Sequence, residues 1–246
     1  MKAVILNSGV GRRMGSLTAG RPKCLVEIAG EETILSRQVR LLLNRGLDRV
    51  LITTGPFAGQ IEGHLARLYP GLQVEYVPNP LYRSTNYIYS LLVAKERLEE
   101  EILLLHGDLV FEESVLQKLL GAAFENAVLV NRAAALPEKD FKGRVEGGLV
   151  KKIAVDIFDE RCAFLVPMYR LSREGIGRWL GEMERFERDG NLGVYAENAL
   201  NNLLGDFPLH AVYFEEELCM EIDTPEDLEK AREFLAAEGP VDRGKA

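Results

Sequence analysis

The chain has little of what would place it in a membrane or an oxidising compartment. Its 246 residues include three cysteines, Cys24, Cys162 and Cys219. That odd number, without CxxC spacing, excludes a disulfide framework and reads as buried thiols of a reduced protein. Long apolar runs are also missing. The one that opens the chain is broken at Asn7, too short for a signal-peptide core or a membrane span. A cytoplasmic location is therefore expected. Internal repeats, low-complexity segments and an interdomain linker are absent. A net charge of −8 argues against nucleic acid as the main partner. One absence is local: no carboxylate occurs from Met1 to Val26, a stretch holding Lys2, Arg12, Arg13, Arg21 and Lys23. A basic segment in an acidic chain points to a small anionic ligand held there.

What is present is ordinary globular composition, 47% hydrophobic and 28% charged, enough for a proper core. In the first half, short apolar runs alternate with amphipathic stretches. Strands are expected over Ala3 to Leu6, Arg49 to Thr54, Leu72 to Val77 and Ile102 to Leu105. Helices are expected over Ile34 to Arg45, from Pro56 at a first turn to Leu68, and over Tyr87 to Leu98. Such alternation predicts an α/β fold with a parallel sheet, helices on both faces, and ligands at the carboxyl ends of the strands. Beyond it, Arg144 to Val155 reads as a hairpin turned at Gly147-Gly148, and Cys162 to Tyr169 as a strand. Helices follow over Arg173 to Glu187 and Val194 to Leu204, then strands at Leu209 to Phe214 and Cys219 to Ile222. Thr224-Pro225-Glu226-Asp227 opens a last helix with a cap, a proline and first-turn acids. The expected organisation is one domain, 1–238, followed by a flexible tail, 239–246.

The first strand runs into Leu6-Asn7-Ser8-Gly9-Val10-Gly11-Arg12-Arg13-Met14-Gly15. Glycines let successive N–H groups turn towards an anion. The dinucleotide fingerprint does not fit, because three residues, two of them arginines, separate the later glycines. A P-loop does not fit either, for want of Gly-Lys-Ser/Thr. What fits is a loop whose Arg13, with Lys23 behind it, meets a triphosphate.

Here the chain resembles the sugar-phosphate nucleotidyltransferase superfamily, whose signature is Leu-Ala-Ala-Gly-x-Gly-x-Arg followed by Pro-Lys-x-Leu. The counterparts are Leu6 to Arg13 and Pro22-Lys23-Cys24-Leu25, with Asn7 and Ser8 in place of two alanines. The resemblance runs over nearly the whole chain, more weakly in the middle. It implies a Rossmann-like mixed, mostly parallel sheet of the nucleotide-diphospho-sugar transferase type. It also implies a nucleotide-binding half (1–130), an acceptor-binding half (131–222) and a closing helix (223–238). The nucleotide would be held by Asn7, Ser8, Gly9, Gly11, Arg12, Arg13 and Lys23.

Nucleotidyl transfer calls for Mg2+, which takes hard oxygen ligands. Asp108 follows the strongly apolar strand at His106-Gly107, and Asp223 ends Glu221-Ile222-Asp223. Each alone serves equally well as a turn or cap residue. Together they match, in position and order, the superfamily's metal-binding pair. Arg13, Lys23, Asp108 and Asp223 are thus the expected catalytic set. No general base is needed, since a phosphate monoester is already charged at neutral pH, its second pKa being about 6. His106 is placed to line the site or to serve structurally; His64 is expected on a helix surface and His210 without a partner.

Thr85-Asn86-Tyr87-Ile88-Tyr89-Ser90-Leu91 is similar to a stretch of choline-phosphate and 2-aminoethylphosphonate cytidylyltransferases. The likeness implies CTP as donor and Asn86 and Ser90 near the nucleotide. Tyr195, Glu197 and Glu221 fall where that group binds its cationic acceptor. Ala196 stands at a position of a cage tryptophan, and no aromatic counterpart to a second is found near Phe141 to Val145. The expected acceptor is therefore a primary amine, phosphoethanolamine or 2-aminoethylphosphonate, before phosphocholine. A sugar-1-phosphate or inositol-phosphate acceptor is the alternative, and a catalytically inactive nucleotide-binding regulator a second. Trp179 is expected in the core. The partners expected are small molecules only, in a monomer or homodimer.

Overall fold

Ala3, Val4 and Ile5 have no exposed surface, because their strand lies mid-sheet with both faces covered. The computed structural model describes residues 1–237; the expected tail, 239–246, and the last residue of the closing helix lie outside them. The first half comprises β1 (Lys2–Asn7), β2 (Glu27–Ala29), β3 (Glu32–Thr33), α1 (Ile34–Asn44), β4 (Val50–Thr54), α2 (Ala58–Leu68), β5 (Val74–Pro78), α3 (Tyr87–Ala94) and β6 (Ile102–His106). Then come β7 (Leu109–Phe111), α4 (Glu113–Leu120), β8 (Ala127–Asn131), β9 (Lys142–Glu146), β10 (Leu149–Ala154) and β11 (Cys162–Leu171). The chain continues through α5 (Arg173–Arg188), α6 (Ala196–Asn201), β12 (His210–Phe214), β13 (Cys219–Glu221) and α7 (Pro225–Ala237).

Nine strands form one mixed sheet in the order β5-β4-β1-β6-β11-β8-β12-β10-β9, with β9 also pairing β11. The β5-β4-β1-β6 part is parallel. The long β11 then runs antiparallel to β6, β8 and β9. Two apolar clusters hold the sheet. One contains Leu91, Trp179 and Leu200, the other Leu35, Ile61 and Leu116, so helices cover both faces. A third, smaller cluster joins Met14 beneath the first loop to Leu228 and Leu235 of α7.

Two features of the topology place the site. After β1 the chain turns towards β4, whereas β6 lies on the other side of β1, so strand order reverses between β1 and β6 and opens a crevice at their carboxyl ends. The short β7 pairs antiparallel with β13, Leu109 opposite Glu221, and Ile222 N–H donates to Asp108 O at 3.0 Å. That ribbon carries residues from the end of the chain to the edge of the crevice.

Several sequence expectations shift. Pro56 lies in the turn before α2, which begins only at Ala58. The β2–β3 hairpin, β7, α4 and β8 are additions. Cys24 and Cys219 are buried, but Cys162 is half-exposed. Half-buried His64 bonds Thr33 Oγ1 through Nε2 at 3.1 Å. His210 does have a partner, stacking on Phe124 with centroids 3.8 Å apart.

Candidate active site

The first loop leaves β1 at Asn7 and is closed on itself by Thr18 Oγ1, which donates to Gly11 O at 2.8 Å. Gly11 has φ 63°, a left-handed conformation that costs glycine nothing. Behind the loop runs a buried chain of short polar groups. Asn79 Nδ2 donates to Ser90 Oγ, Ser90 Oγ to Ser8 Oγ, and Ser8 Oγ to Thr53 Oγ1, each at 3.0 Å. Ser8 thus spends its hydroxyl inside this chain. Asn7 packs against Gly107, where a Cβ would come within 1.9 Å of Asn7 Oδ1, so any larger residue there would displace the Asn7 side chain.

Two residues of the Pro22-Lys23 and Gly107-Asp108 segments meet a third from the far end of the chain. Lys23 Nζ donates to Asp108 Oδ2 at 2.5 Å and to Asp223 Oδ1 at 2.7 Å. Arg13 Nη2 reaches Asp223 Oδ2 at 2.8 Å. Burial works against the Lys23 ammonium, but the two carboxylates outweigh it and hold its pKa above the ordinary value. Burial likewise opposes the charge of Asp108, and Lys23 reverses this, leaving the carboxyl below its usual range. Asp223 is aimed by the start of α7. Its N–H donates to Asp227 Oδ2 at 3.2 Å, and Asp227 N–H donates to the capping Thr224 Oγ1 at 3.2 Å.

One cavity of about 370 Å³ collects this cluster, the first loop and the head of α3, within the range of small-molecule sites. It is bordered by every residue expected at the site, Glu197 excepted. Asn86 borders it while capping α3, its Oδ1 accepting from Tyr87 N–H at 2.8 Å. His106 also borders it, its Nδ1 3.2 Å from Glu221 Oε1. Burial pushes the Glu221 carboxyl up to about 7, with Asp108 adding to the rise and the His106 hydrogen bond opposing it. Burial disfavours charge on His106, but Glu221 prevails and raises its pKa.

The far end of the cavity is aromatic. Tyr195 has its ring 5.0 Å from Phe141 and 6.0 Å from Tyr87, and Tyr87 sets its edge on His106 at 4.7 Å. Phe141 thereby supplies an aromatic wall where none is expected from the sequence. It arrives with Lys139 and Asp140 on the connection between β8 and β9, and both also border the cavity. That connection, 132–141, has no hydrophobic period to mark it. Lys142, buried at the start of β9, donates from Nζ to Pro137 O at 2.5 Å and ties the loop down.

Glu197 is the exception among the expected acceptor residues. It is 1% exposed and lies one layer behind the wall, accepting hydrogen bonds from the hydroxyls of Tyr87 and Tyr169. A ligand in the cavity meets Tyr87 first, because Tyr87 fills the space between. Trp179 is in the core as expected, its Nε1–H donating to Ala196 O at 2.9 Å.

A model of the MobA-like NTP transferase domain matches residues 3–241. The chain belongs to the MobA-like NTP transferase family. A family relative, the CMP-5'-(3-aminopropyl)phosphonate synthase of Streptomyces rubellomurinus, is 32% identical over 161 residues, 65% of this chain and 25% of that protein. The bifunctional IPC transferase and DIPP synthase of Archaeoglobus fulgidus is 30% identical over 239 residues, 96% of this chain and 44% of that protein. The chain therefore spans a quarter to under half of the length of these two curated relatives. Among solved structures, the inositol-1-phosphate CTP transferase from T. maritima superposes with a TM-score of 0.81 over 100% of this chain and 97% of that one, at 21% identity. The CTP:phosphocholine cytidylyltransferase from Streptococcus pneumoniae gives 0.75 over 95% and 98%, also at 21% identity. Both superpositions establish the nucleotide-diphospho-sugar transferase fold. Among the described residues, no helix is long and apolar enough to cross a membrane.

Proposed function

We propose that the chain is a Mg2+-dependent cytidylyltransferase domain that moves CMP from CTP to a small phosphate or phosphonate acceptor bearing an ammonium group. The observation that carries this reading is Lys23 bridging Asp108 and Asp223, at 2.5 and 2.7 Å, beside a glycine loop that supplies Arg12 and Arg13. Carboxylates near enough to share one ammonium are near enough to share one divalent ion. Asp108 Oδ1 is buried without a partner among the described residues, which suits a hard cation. His106, Asp108 and Glu221 also offer ligand atoms within 4.8 Å of one another. Asp108 is common to both arrangements. When bound, Mg2+ would supply charge neutralisation on the triphosphate and the leaving pyrophosphate.

The chain's own residues do the rest. Arg12, Arg13 and Lys23 meet the triphosphate. The acceptor's phosphate or phosphonate oxygen, already anionic, attacks the α-phosphorus. A new bond from acceptor oxygen to phosphorus forms as the bond to the β-phosphate oxygen breaks, and pyrophosphate leaves with that electron pair. No side chain need take a proton, so catalysis is positioning and charge neutralisation. CTP as donor is supported by the relatives whose names carry CMP or CTP. The acceptor's ammonium is supported by the aromatic wall of Phe141, Tyr87 and Tyr195 with Glu221 beside it, a combination that attracts cations.

Pyrophosphate release should be measured for four nucleotides against phosphocholine, phosphoethanolamine, 2-aminoethylphosphonate, 3-aminopropylphosphonate, inositol-1-phosphate and glucose-1-phosphate. We expect CTP with an amine-bearing acceptor to exceed every other pair by at least about tenfold in kcat/KM. Preference for inositol or sugar phosphate would overturn the acceptor, and silence across the matrix would overturn the enzyme.

Glu221 makes the amine reading sensitive to pH. With its carboxyl pushed up to about 7, it gains negative charge as pH rises through that value. The ratio of kcat/KM for phosphoethanolamine in the wild type to that in Glu221→Gln should rise over pH 6–8, because the acceptor's own ionisation is common to both enzymes and cancels. A ratio independent of pH would remove Glu221 from acceptor binding.

A further inference from the structure

Glu197 sits where a carboxylate is expensive. It is 1% exposed, and a buried carboxylate is tolerated only when strong donors satisfy it. Its donors are two phenols from different elements: Tyr87, which opens α3, and Tyr169 of β11, the latter at 2.8 Å from Glu197 Oε1. The arrangement is rooted in the core. Tyr169 is fully buried and sets its ring edge against Trp179 at 5.4 Å. Trp179 Nε1–H in turn donates to Ala196 O at 2.9 Å, the residue just before Glu197 at the start of α6. One side of the carboxylate therefore faces a fixed scaffold and the other faces Tyr87, which borders the cavity.

We infer that Glu197 is a positioning residue: it touches no ligand and anchors Tyr87 as the wall of the acceptor end of the cavity. The inference rests on the reading of that end given above. Tyr87 has consequences beyond its own surface, since its ring lies against His106 at 4.7 Å, and His106 holds Glu221. Losing the anchor frees the ring, and with it the partner of the carboxylate that faces the acceptor. The triphosphate end, built on Arg13, Lys23, Asp108 and Asp223, is held by separate contacts. The effect should therefore fall on the acceptor and spare CTP.

The test uses Tyr87→Phe, Glu197→Gln and the double variant of the full chain, with phosphocholine, phosphoethanolamine and 2-aminoethylphosphonate as probes. Each single variant should raise acceptor KM roughly tenfold, the scale of one hydrogen bond to a charged group, with CTP KM unchanged. The double variant should be no worse than the poorer single, since both remove the same contact. Multiplied effects, or a normal acceptor KM in Tyr87→Phe, would overturn the inference; the latter variant keeps the ring and decides the matter even if Glu197→Gln does not fold. A readout independent of turnover is the 13Cζ resonance of labelled tyrosine, of which the chain has eight. Glu197→Gln should shift the signals that disappear in Tyr87→Phe and in Tyr169→Phe. An unmoved Tyr87 signal would overturn the anchoring. If no probe is turned over, the amine-acceptor reading fails while this resonance still decides whether Glu197 holds Tyr87.

Discussion

Asp108→Ala should lower turnover about 10³-fold or more while leaving the fold in place. In the proposed reading the carboxylate would hold the metal of the triphosphate, and its Oδ1 is buried with nothing among the described residues to satisfy it. Removing a ligand that positions a Lewis acid forfeits on the order of several kcal/mol of transition-state stabilisation, and about 4 kcal/mol corresponds to about 10³ in rate. The fold does not depend on this side chain, because the contact that joins the two segments is Ile222 N–H to the Asp108 carbonyl, 3.0 Å, made by backbone. Asp108→Asn is expected to be nearly as inactive, since it keeps the shape and loses the charge. Steady-state pyrophosphate release at saturating CTP and Mg2+, with thermal unfolding as control, checks both statements. Turnover within tenfold of wild type would take Asp108 out of the mechanism.

Much of this site is legible in the sequence because its parts sit where punctuation is strong. Gly9 and Gly11 follow a four-residue apolar run, and Asp108 follows another, so the strand ends and the loops between them announce themselves. Residues 109–131 carry no proline and only Gly121, so β7, α4 and β8 run together without a break to separate them. Their loss has a cost for the site: β7 is what pairs with β13 and carries Asp223 to Asp108. Chemistry that depends on depth is harder still to see. A position along the chain places Glu197 near the acceptor, but which side of the Tyr87 ring it occupies is fixed by Tyr169 and Trp179, distant in sequence. Phe141 and Asp140 come from a loop with no periodicity, brought in by the buried Lys142. Asn7 and Ser8, which replace alanines of the signature, have structural employment, against Gly107 and in the chain of hydroxyls to Asn79.

Lys23→Met should cost about 10²–10³-fold in turnover, the scale of losing one preorganised donor to the charge that develops in the transition state. Arginine is not expected to rescue it, because a planar fork cannot replace a compact ammonium between Asp108 and Asp223. The same variant separates two roles of this lysine. Its ammonium sits between the carboxylates, at 2.5 and 2.7 Å, the place a divalent ion would take. Methionine preserves most of the length and removes that internal cation. Asp108 and Asp223 then face each other with Arg13 on Asp223 and His106 near Asp108, a like-charge pair short of its bridging cation that favours an external one. Mg2+ or Mn2+ alone should therefore raise the melting temperature of Lys23→Met more than that of wild type, and should barely stabilise the double variant with Asp108→Ala. Equal metal stabilisation in wild type and Lys23→Met would mean that the two aspartates are not the metal's pair, whatever the loss of turnover.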